Sequence, residues 1–438
     1  MRFASRHGLL VPILCFIAYM GNCRTLDISR GGDTIPNRLI PFSVLNNRTV
    51  TLDPFREQFG QKPPWYIQER QGSWVSLYPI GTPLAALPVY APVYAFLAAG
   101  GRPSAELLFA VSEPAEKVAA ALITALAVWF FWLTLIRRLP PRQAFWFAIA
   151  FGLGTGMWGT ASQILWQQTV VAASVTAALW LLTWPGLPGW AAAGGGAALS
   201  LAVATRPAAG LLLIAGLIAA IAMARQLWLR RALAFCAAAA PLIAFSVSVN
   251  WYYYGHPSGF YNAFLGAILK AIFTIKGLAG AAGLIISPNR GLLIFTPIAI
   301  LGILSLARQL VTRQGRDPVL LSFGIASLLH LLISGAYEYW WGGWSFGPRY
   351  LVDILPILAL AAADLWNRLP AWARHLAVVA LVWSILVQMN GAFCYPASGW
   401  HTRIPPTDPT ASMWSWSDFE LWEDLRAWWA QGYWSAPY

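Results

Sequence analysis

Two aspartates in one short stretch are the residues of this chain best suited to acid–base chemistry. Asp27 and Asp33 lie in C-R-T-L-D-I-S-R-G-G-D-T-I-P, directly after the first apolar run. Asp33 follows two glycines and precedes Pro36, which favours a tight bend. A carboxylate held near a low-dielectric boundary is a good general base, because desolvation raises its proton affinity. The alternative for either residue is an Asx turn or a helix cap.

Five basic residues stand near the ends of different apolar runs and could together bind an anion. They are Lys62 in K-P-P-W-Y, Lys117 in S-E-P-A-E-K, Arg206 in A-T-R-P, Arg290 in S-P-N-R-G and Arg349 in G-P-R-Y-L. Each residue alone can be explained as an anchor at the membrane interface, because its long side chain can reach from the apolar region to the water. Lys117 and Arg290, taken singly, also suit ordinary anionic headgroups. As a set, the five favour a phosphate or pyrophosphate site at a membrane surface.

Charged residues are scarce in this chain, and their positions are therefore informative. Of 438 residues, 58% are hydrophobic and 11% charged, and the mean hydropathy is +0.57. A chain this apolar needs lipid as its solvent, so we predict an all-α polytopic membrane protein. The net charge of +12 comes from arginine clusters between apolar runs, a pattern typical of topology determinants. We therefore expect no nucleic-acid partner.

The apolar runs predict about eleven transmembrane helices. They cover residues 8–21, 115–136, 144–159, 166–184, 190–204, 207–223, 232–250, 291–307, 318–335, 350–366 and 375–391. Residues 78–99 are also apolar, but four prolines should break a straight helix there. We expect this piece to be re-entrant or in-plane, within the first outer loop.

Arginine clusters give the orientation of the predicted helices. The positive-inside rule places Arg137, Arg225, Arg308 and Arg368, with the basic residues near them, in the cytoplasm. The other side of a plasma or inner membrane then receives the loops 23–114 and 251–290 and the Trp-rich tail 392–438, and the N-terminus is cytoplasmic. Residues 1–391 form the transmembrane module.

Familiar cofactor motifs are missing from the sequence. It has no Walker loop, no dinucleotide fingerprint and no H-E-x-x-H. Its four cysteines show no metal-ligand spacing. We expect neither a nucleotide nor a metal cofactor.

At these motifs the sequence resembles the GT-C superfamily of membrane glycosyltransferases, which includes protein O-mannosyltransferases and the bacterial aminoarabinose transferase of lipid A. The resemblance runs over residues 8–391. Members carry a catalytic acidic residue just after the first span, which here falls on Asp33, with Asp27 as second choice. Their K-P-P or H-P-P element is matched by Lys62-Pro63-Pro64 and less closely by Tyr78-Pro79. The usual D-E pair is D-T here, which argues for metal-independent chemistry.

The resemblance implies transfer of a sugar from a polyprenyl-phosphate donor to a lipid, glycan or protein acceptor on the outer face, with inversion and with Asp33 as base. It assigns the donor phosphate to Lys62, Lys117, Arg206, Arg290 and Arg349. It assigns further substrate contacts to Glu116, Tyr78, Trp344 and Tyr350. Two alternatives stay open: a lipid or polysaccharide transporter or flippase, and a polyprenyl-diphosphate glycan ligase or polymerase.

Cysteine labelling tests the topology. We expect single cysteines at positions 137, 225, 313 and 368 to be protected from an impermeant maleimide in intact cells, and those at 33, 62, 276 and 400 to react. Labelling at 225 but not at 400 would invert the scheme.

Overall fold

The computed structural model of the chain describes residues 8–22, 32–60, 62–312, 316–395, 400 and 409–430. Asp27, the alternative base, and Arg313 lie outside these ranges. Within them the chain is helical apart from one antiparallel hairpin, β1 (Ile67–Arg70) and β2 (Ser73–Ser76). The all-α fold class predicted from the sequence is confirmed.

The α-helices of the described residues are, in chain order, α1 (Leu10–Met20), α2 (Ile35–Asn47), α3 (Gly81–Ala98), α4 (Ala105–Leu135), α5 (Pro141–Leu153), α6 (Gln167–Leu182), α7 (Gly189–Thr205), α8 (Gly210–Ala224), α9 (Trp228–Tyr254), α10 (Asn262–Ala271), α11 (Ile275–Ile286), α12 (Leu292–Phe295), α13 (Ala299–Val311), α14 (Pro318–Ala336), α15 (Leu355–Trp366), α16 (Ala371–Phe393), α17 (Pro409–Met413) and α18 (Glu420–Ala430). A π-helical segment, Met157–Ala161, follows α5, and a 3-10 segment, Arg349–Ile354, precedes α15.

Six helices in the described part are long and apolar enough to cross a membrane, and a bent pair makes a seventh. The six are Gly81–Ala98, Ala105–Leu135, Pro207–Ala224, Trp228–Tyr254, Pro318–Ala336 and Ala371–Phe393. The eleven predicted spans are not confirmed, because several apolar runs fold as shorter pieces. The run 291–307, for example, is divided between α12 and α13 at Thr296 and Pro297.

Helix α3 is continuous where we expected its prolines to break it. Pro83 lies in its first turn, where a missing N–H costs little, while Pro88 and Pro92 lie inside the helix. Tertiary contacts hold its start and its middle in place. Gly81 abuts the backbone of Ala204 and Thr205, and the Tyr90 ring packs edge-on against Phe42 at 4.9 Å. The expectation of a broken segment was wrong, whereas its in-plane placement stays a prediction.

The segment 251–290, which we predicted as an outer loop, is largely helical, and its side of the membrane stays a prediction. α9 continues to Tyr254, and the next two apolar helices, Gly259–Ala271 and Ile275–Ile286, are bent by 99° at a short break. Phe273 and Ile275 at the elbow are 79% and 89% exposed. These helices match a broken span or a re-entrant hairpin by length and composition.

Small residues allow the helices of the bundle to pack closely. A Cβ on Gly196 of α7 would lie 2.2 Å from the carbonyl oxygen of Phe235 in α9, so only glycine fits this crossing. The glycines in the sequence of α7, G-W-A-A-A-G-G-G-A-A-L, therefore let this apolar helix pack closely against its neighbours.

The tail is fastened to the bundle by the S-P-N-R-G motif. Arg290 is fully buried, pairs with the buried Glu420 and donates from Nε to the carbonyl of Trp341 (3.0 Å). Asn289 Nδ2 donates to the carbonyls of Ser412, Ser415 and Asp418 at 2.8–3.1 Å. Arg290 therefore anchors α18 onto the bundle.

The buried pair predicts a large loss of stability in one variant. Arg290→Ala should cost about 3–5 kcal/mol, because it leaves the Glu420 carboxylate buried without its partner. Arg426→Ala, which removes an exposed pair with Glu423 in the same helix, should cost only about 0–1 kcal/mol. Thermal unfolding of the purified variants measures the difference, and equal shifts would show that Arg290 does not anchor the tail.

Candidate functional site

Asp33 lies at the centre of the candidate site, held by two donors from distant parts of the chain. Arg349 Nη1 donates to Asp33 Oδ2 (3.0 Å), and the Tyr78 hydroxyl donates to Oδ1 (2.8 Å). The Asp33 side chain is 28% exposed, while that of Arg349 is only 7% exposed. The carboxylate is thus fixed in orientation but open on one side.

The loop before α2 positions Asp33 by packing and by backbone hydrogen bonds. A Cβ on Gly32 would lie 2.8 Å from the Tyr66 ring, so the glycine lets the K-P-P-W-Y segment close against this turn. One turn into α2, Asn37 Nδ2 donates to the carbonyl of Leu165 (3.1 Å). The loop before α6 therefore holds the first turn of α2, and with it the neighbouring Asp33, in place.

Burial keeps Tyr78 a hydrogen-bond donor. Desolvation, and after it the neighbouring Asp33 carboxylate, raises the pKa of Tyr78 well above its usual value. The hydroxyl accordingly stays protonated and directs its proton at Asp33.

Two arginines flank one tyrosine on the deep side of Asp33. The Arg349 guanidinium stacks over Trp166 at 4.1 Å and lies 5.4 Å from the Tyr350 ring. Arg206 lies 4.7 Å from the same ring, and its Nη1 pairs with Asp353 Oδ2 at 2.5 Å. The T-R-P turn after α7 and the G-P-R-Y-L motif before α15 thus bring two buried cations together.

Neither carboxylate takes up all the donors of its arginine. Arg349 Nε is buried and makes no hydrogen bond with the described residues. Arg206 shows one ion-paired nitrogen, Nη1, in its contact with Asp353. A guanidinium carries five N–H donors in a planar fork that matches phosphate oxygens, so one carboxylate does not saturate it.

Aromatic and polar residues that the sequence analysis did not single out complete the site. The Tyr261 hydroxyl donates to Gln167 Oε1 (3.1 Å), and the Tyr337 and Tyr350 rings meet at 6.1 Å. Asp353 had a signal in the sequence, since an acid near the start of the apolar run 350–366 is rare without a function. Trp166 and the tyrosines had none, because aromatic residues are abundant throughout this chain.

Lys117 and Glu116 lie behind Asp33 and are used within the protein. Lys117 Nζ donates to Asn22 Oδ1 (3.0 Å), Gln163 Oε1 (2.9 Å) and the carbonyl of Ser162 (3.2 Å). Glu116 is fully buried and accepts from the Leu165 backbone N–H (3.0 Å). Its other carboxylate oxygen lies 3.7 Å from Arg38.

The remaining predicted residues are spread over the surface and the tail. Lys62 is exposed and begins the segment that packs against Gly32. Trp344 is 57% exposed in a loop whose Gly342 and Gly343 adopt positive φ angles. Arg290 lies under the tail, as described above. The contacts above therefore join Asp33, Tyr78, Arg206, Arg349 and Tyr350 in one network, whereas Arg290 and Trp344 lie elsewhere and Asp27 is outside the described residues.

Among the described residues, no group of three or more His, Cys, Asp or Glu side chains could hold a metal ion together. The carboxylates nearest the arginines, Asp33 and Asp353, each pair with a different guanidinium.

Comparisons with known proteins give structural similarities at low sequence identity. No family model and no curated protein match the sequence. The Archaeoglobus fulgidus oligosaccharyltransferase, in complex with Zn and sulfate, has a TM-score of 0.42 and 14% identity, covering 92% of this chain and 61% of that one. Its apo form has a TM-score of 0.39 and 12% identity, covering 93% of this chain and 64% of that one. The chain therefore spans less than two thirds of that protein's length, and the function has to be argued from the side chains of the site.

The contacts of Lys117 predict how its removal would act. Lys117→Met should lower the thermal stability, because Asn22 and Gln163 lose a buried partner and each unsatisfied group costs about 1–3 kcal/mol. Binding of polyprenyl phosphate per folded molecule should change little. A stable variant that no longer binds this lipid would place the ammonium at the phosphate instead.

Proposed function

We propose that this protein is a membrane glycosyltransferase that moves a sugar from a polyprenyl-phosphate donor to an acceptor on the outer face of the membrane. The observation that supports this most is the contact of Asp33, a partly exposed carboxylate, with Arg349, beside the second buried cation Arg206. A base and an anion clamp lie within one connected cluster. Both are needed when an acceptor is deprotonated while a phosphate leaves.

Asp33 serves as the general base in this proposal. It takes the proton of an acceptor hydroxyl or amine while the acceptor atom bonds to the anomeric carbon. The bond between that carbon and the phosphate oxygen breaks at the same time, and its electron pair stays on the lipid phosphate. A single displacement of this kind inverts the configuration. Tyr78 and Arg349 hold the carboxylate in line.

The two arginines stabilise the leaving phosphate. Negative charge grows on the bridging oxygen as the glycosidic bond breaks, and preorganised cations at that place lower the barrier. Arg349 and Arg206 are rigid, because Trp166 and Asp353 hold their guanidiniums. Tyr350 between them forms the floor of the phosphate site.

The other residues predicted from the sequence take different roles in this proposal. Lys62 and Trp344, both exposed, suit contacts at the rim with the phosphate and the sugar. Lys117 and Glu116 hold the loop 160–169 against the start of α2, and Arg290 anchors the tail. The polyprenyl chain lies in membrane lipid beside the bundle, and the site faces away from the cytoplasm.

A product assay separates this function from its competitors. Purified protein is incubated with radiolabelled polyprenyl-phosphate sugars and with lipid, glycan or peptide acceptors. A transferase releases free polyprenyl phosphate, a ligase or polymerase acting on diphosphate donors releases the diphosphate, and a flippase releases neither. Absence of polyprenyl phosphate with every donor and acceptor would contradict the proposal.

Two substitutions should divide binding from chemistry. Asp33→Asn should keep donor binding but lower turnover by about 10²–10⁴-fold, the range assigned to general-base catalysis. Arg349→Ala should weaken both, because its guanidinium meets the phosphate before and during bond cleavage. Donor binding and single-turnover rates give the two quantities.

Asp27→Asn is the matched control, since it changes the neighbouring aspartate of the same loop in the same way. We expect it to keep its activity. A folded but inactive Asp27→Asn beside an active Asp33→Asn would move the base to Asp27, and full activity in both would remove the base from this loop.

A further inference from the structure

The bend between α10 and α11 exposes apolar side chains that neither the bundle nor the candidate site covers. α10 has no buried residue, and Phe273 and Ile275 at the bend are 79% and 89% exposed. Leu269 and Leu278, on either side of them, are 57% and 47% exposed. A contiguous apolar surface of this kind needs lipid or a partner to cover it. We call residues 269–278 the elbow.

Two lysines frame the apolar surface of the elbow. Lys270 lies in the last turn of α10 and Lys276 in the first turn of α11. Both side chains are exposed, and neither forms an ion pair with a described residue. The sequence from 251 to 290 contains no Asp or Glu. The elbow therefore combines exposed apolar side chains with two positive charges that suit an external anion.

The packing of α11 limits how deep the elbow can lie in a membrane. A Cβ on Gly280 would lie 2.1 Å from the carbonyl oxygen of Gly335, near the end of α14. The 19 residues of α14 are about 28 Å long, close to the thickness of about 30 Å of a hydrocarbon core, so Gly335 lies near its boundary. Thr274 precedes Gly280 by six residues, or about 9 Å along a helix. The elbow is then at most about 9 Å deeper than Gly335, within the depth of about 5–10 Å that interfacial helices reach.

A complete crossing of the membrane by α10 and α11 conflicts with the charges of the chain. It would place the elbow, with Lys270 and Lys276, near the centre of the bilayer, where a charged side chain is costly. It would also move Arg308 and Arg316 to the outer side, against the positive-inside pattern. A re-entrant hairpin avoids both conflicts, because the chain enters and leaves it on the same side.

We propose that the elbow is a shallow re-entrant element that docks on anionic lipid, in the leaflet nearest the candidate site. Its apolar side chains enter the acyl region, and Lys270 and Lys276 bind lipid phosphate groups in the wet headgroup layer. The proposal does not depend on the proposed function. It has a consequence for the site, because Phe264 of α10 packs against Tyr337 at 5.8 Å and Tyr337 meets Tyr350 at 6.1 Å. Docking of the elbow would therefore set the height of the site relative to the lipid.

Fluorescence quenching measures the depth of the elbow. The four native cysteines are replaced by alanine, and the dye NBD is attached to Phe273→Cys in phosphatidylcholine nanodiscs. We expect lipids with a doxyl quencher near the glycerol end of the acyl chain to quench the dye more strongly than lipids with the quencher near the bilayer centre. Ile275→Cys gives a second reading from the same elbow.

Phe245→Cys is the control for the depth measurement. Phe245 is 43% exposed and lies nine residues, or about 14 Å, before the end of α9 at Tyr254, so we expect the deep quencher to act more strongly there. Stronger quenching by the deep lipid at position 273 would show a broken span. Quenching by neither lipid would show that the elbow faces water or another protein. Either result would overturn the proposal.

The role of the lysines is tested with the same label and with shallow quenchers carried by phosphatidylglycerol or by phosphatidylcholine at equal mole fraction. Each lysine near an anionic surface favours binding about fivefold, so phosphatidylglycerol should quench more strongly. The double variant Lys270→Gln/Lys276→Gln should lose this difference, whereas Lys270→Arg/Lys276→Arg should keep it because the charge remains. Equal quenching by the two lipids with both lysines present, or a preference that survives their removal, would show that the elbow does not bind anionic lipid through them.

Discussion

A buried charge in this apolar chain has to be paired or held by several hydrogen bonds, and the rest of the structure depends on that constraint. Desolvating an ion costs several kcal/mol, which only a close counter-charge and further hydrogen bonds offset. In the described part of the bundle, each ion pair that contains a buried arginine joins segments far apart in sequence. They are Asp33 with Arg349, Arg38 with Glu116, Arg206 with Asp353, and Arg290 with Glu420.

Such pairs contribute less to the net stability of the fold than to the choice of one arrangement of its helices. A well-packed hydrophobic replacement is often as stable, but removing one partner is strongly destabilising, so the pairs select one register of the chain over others. The pair at Asp33 differs from the rest because its carboxylate is 28% exposed. Its arginine is held from behind by Trp166. This pair alone among the four combines a fixed cation with a carboxylate that a ligand can reach.

The sequence predicted the helical class, and five of the residues that it singled out meet around Asp33, because motif and scarce charge point to the same residues. No feature of the sequence distinguished Arg349 from Lys117 as a phosphate ligand. Whether a cation can still bind a ligand depends on the carbonyls and carboxylates that other helices bring to it. Lys117 meets acceptors from Asn22 and Gln163, which no local pattern reveals. The helix α3 was misjudged for a similar reason: propensity disfavours its prolines, but packing overrides propensity.

The site has two sides of opposite character, and this asymmetry bears on mechanism. On one side of Asp33, guanidiniums stack on aromatic rings, and on the other the uncharged Tyr78 hydroxyl donates to the carboxylate. In a single displacement the acceptor and the leaving phosphate must approach the anomeric carbon from opposite directions. A molecule that kept cations on both sides would bind the phosphate in either place. Because Arg349 contacts Oδ2 of Asp33 and Tyr78 contacts Oδ1, the phosphate of a donor in the proposed reaction would lie on the Oδ2 side of the carboxylate. The acceptor would be left on the side where its proton can be removed.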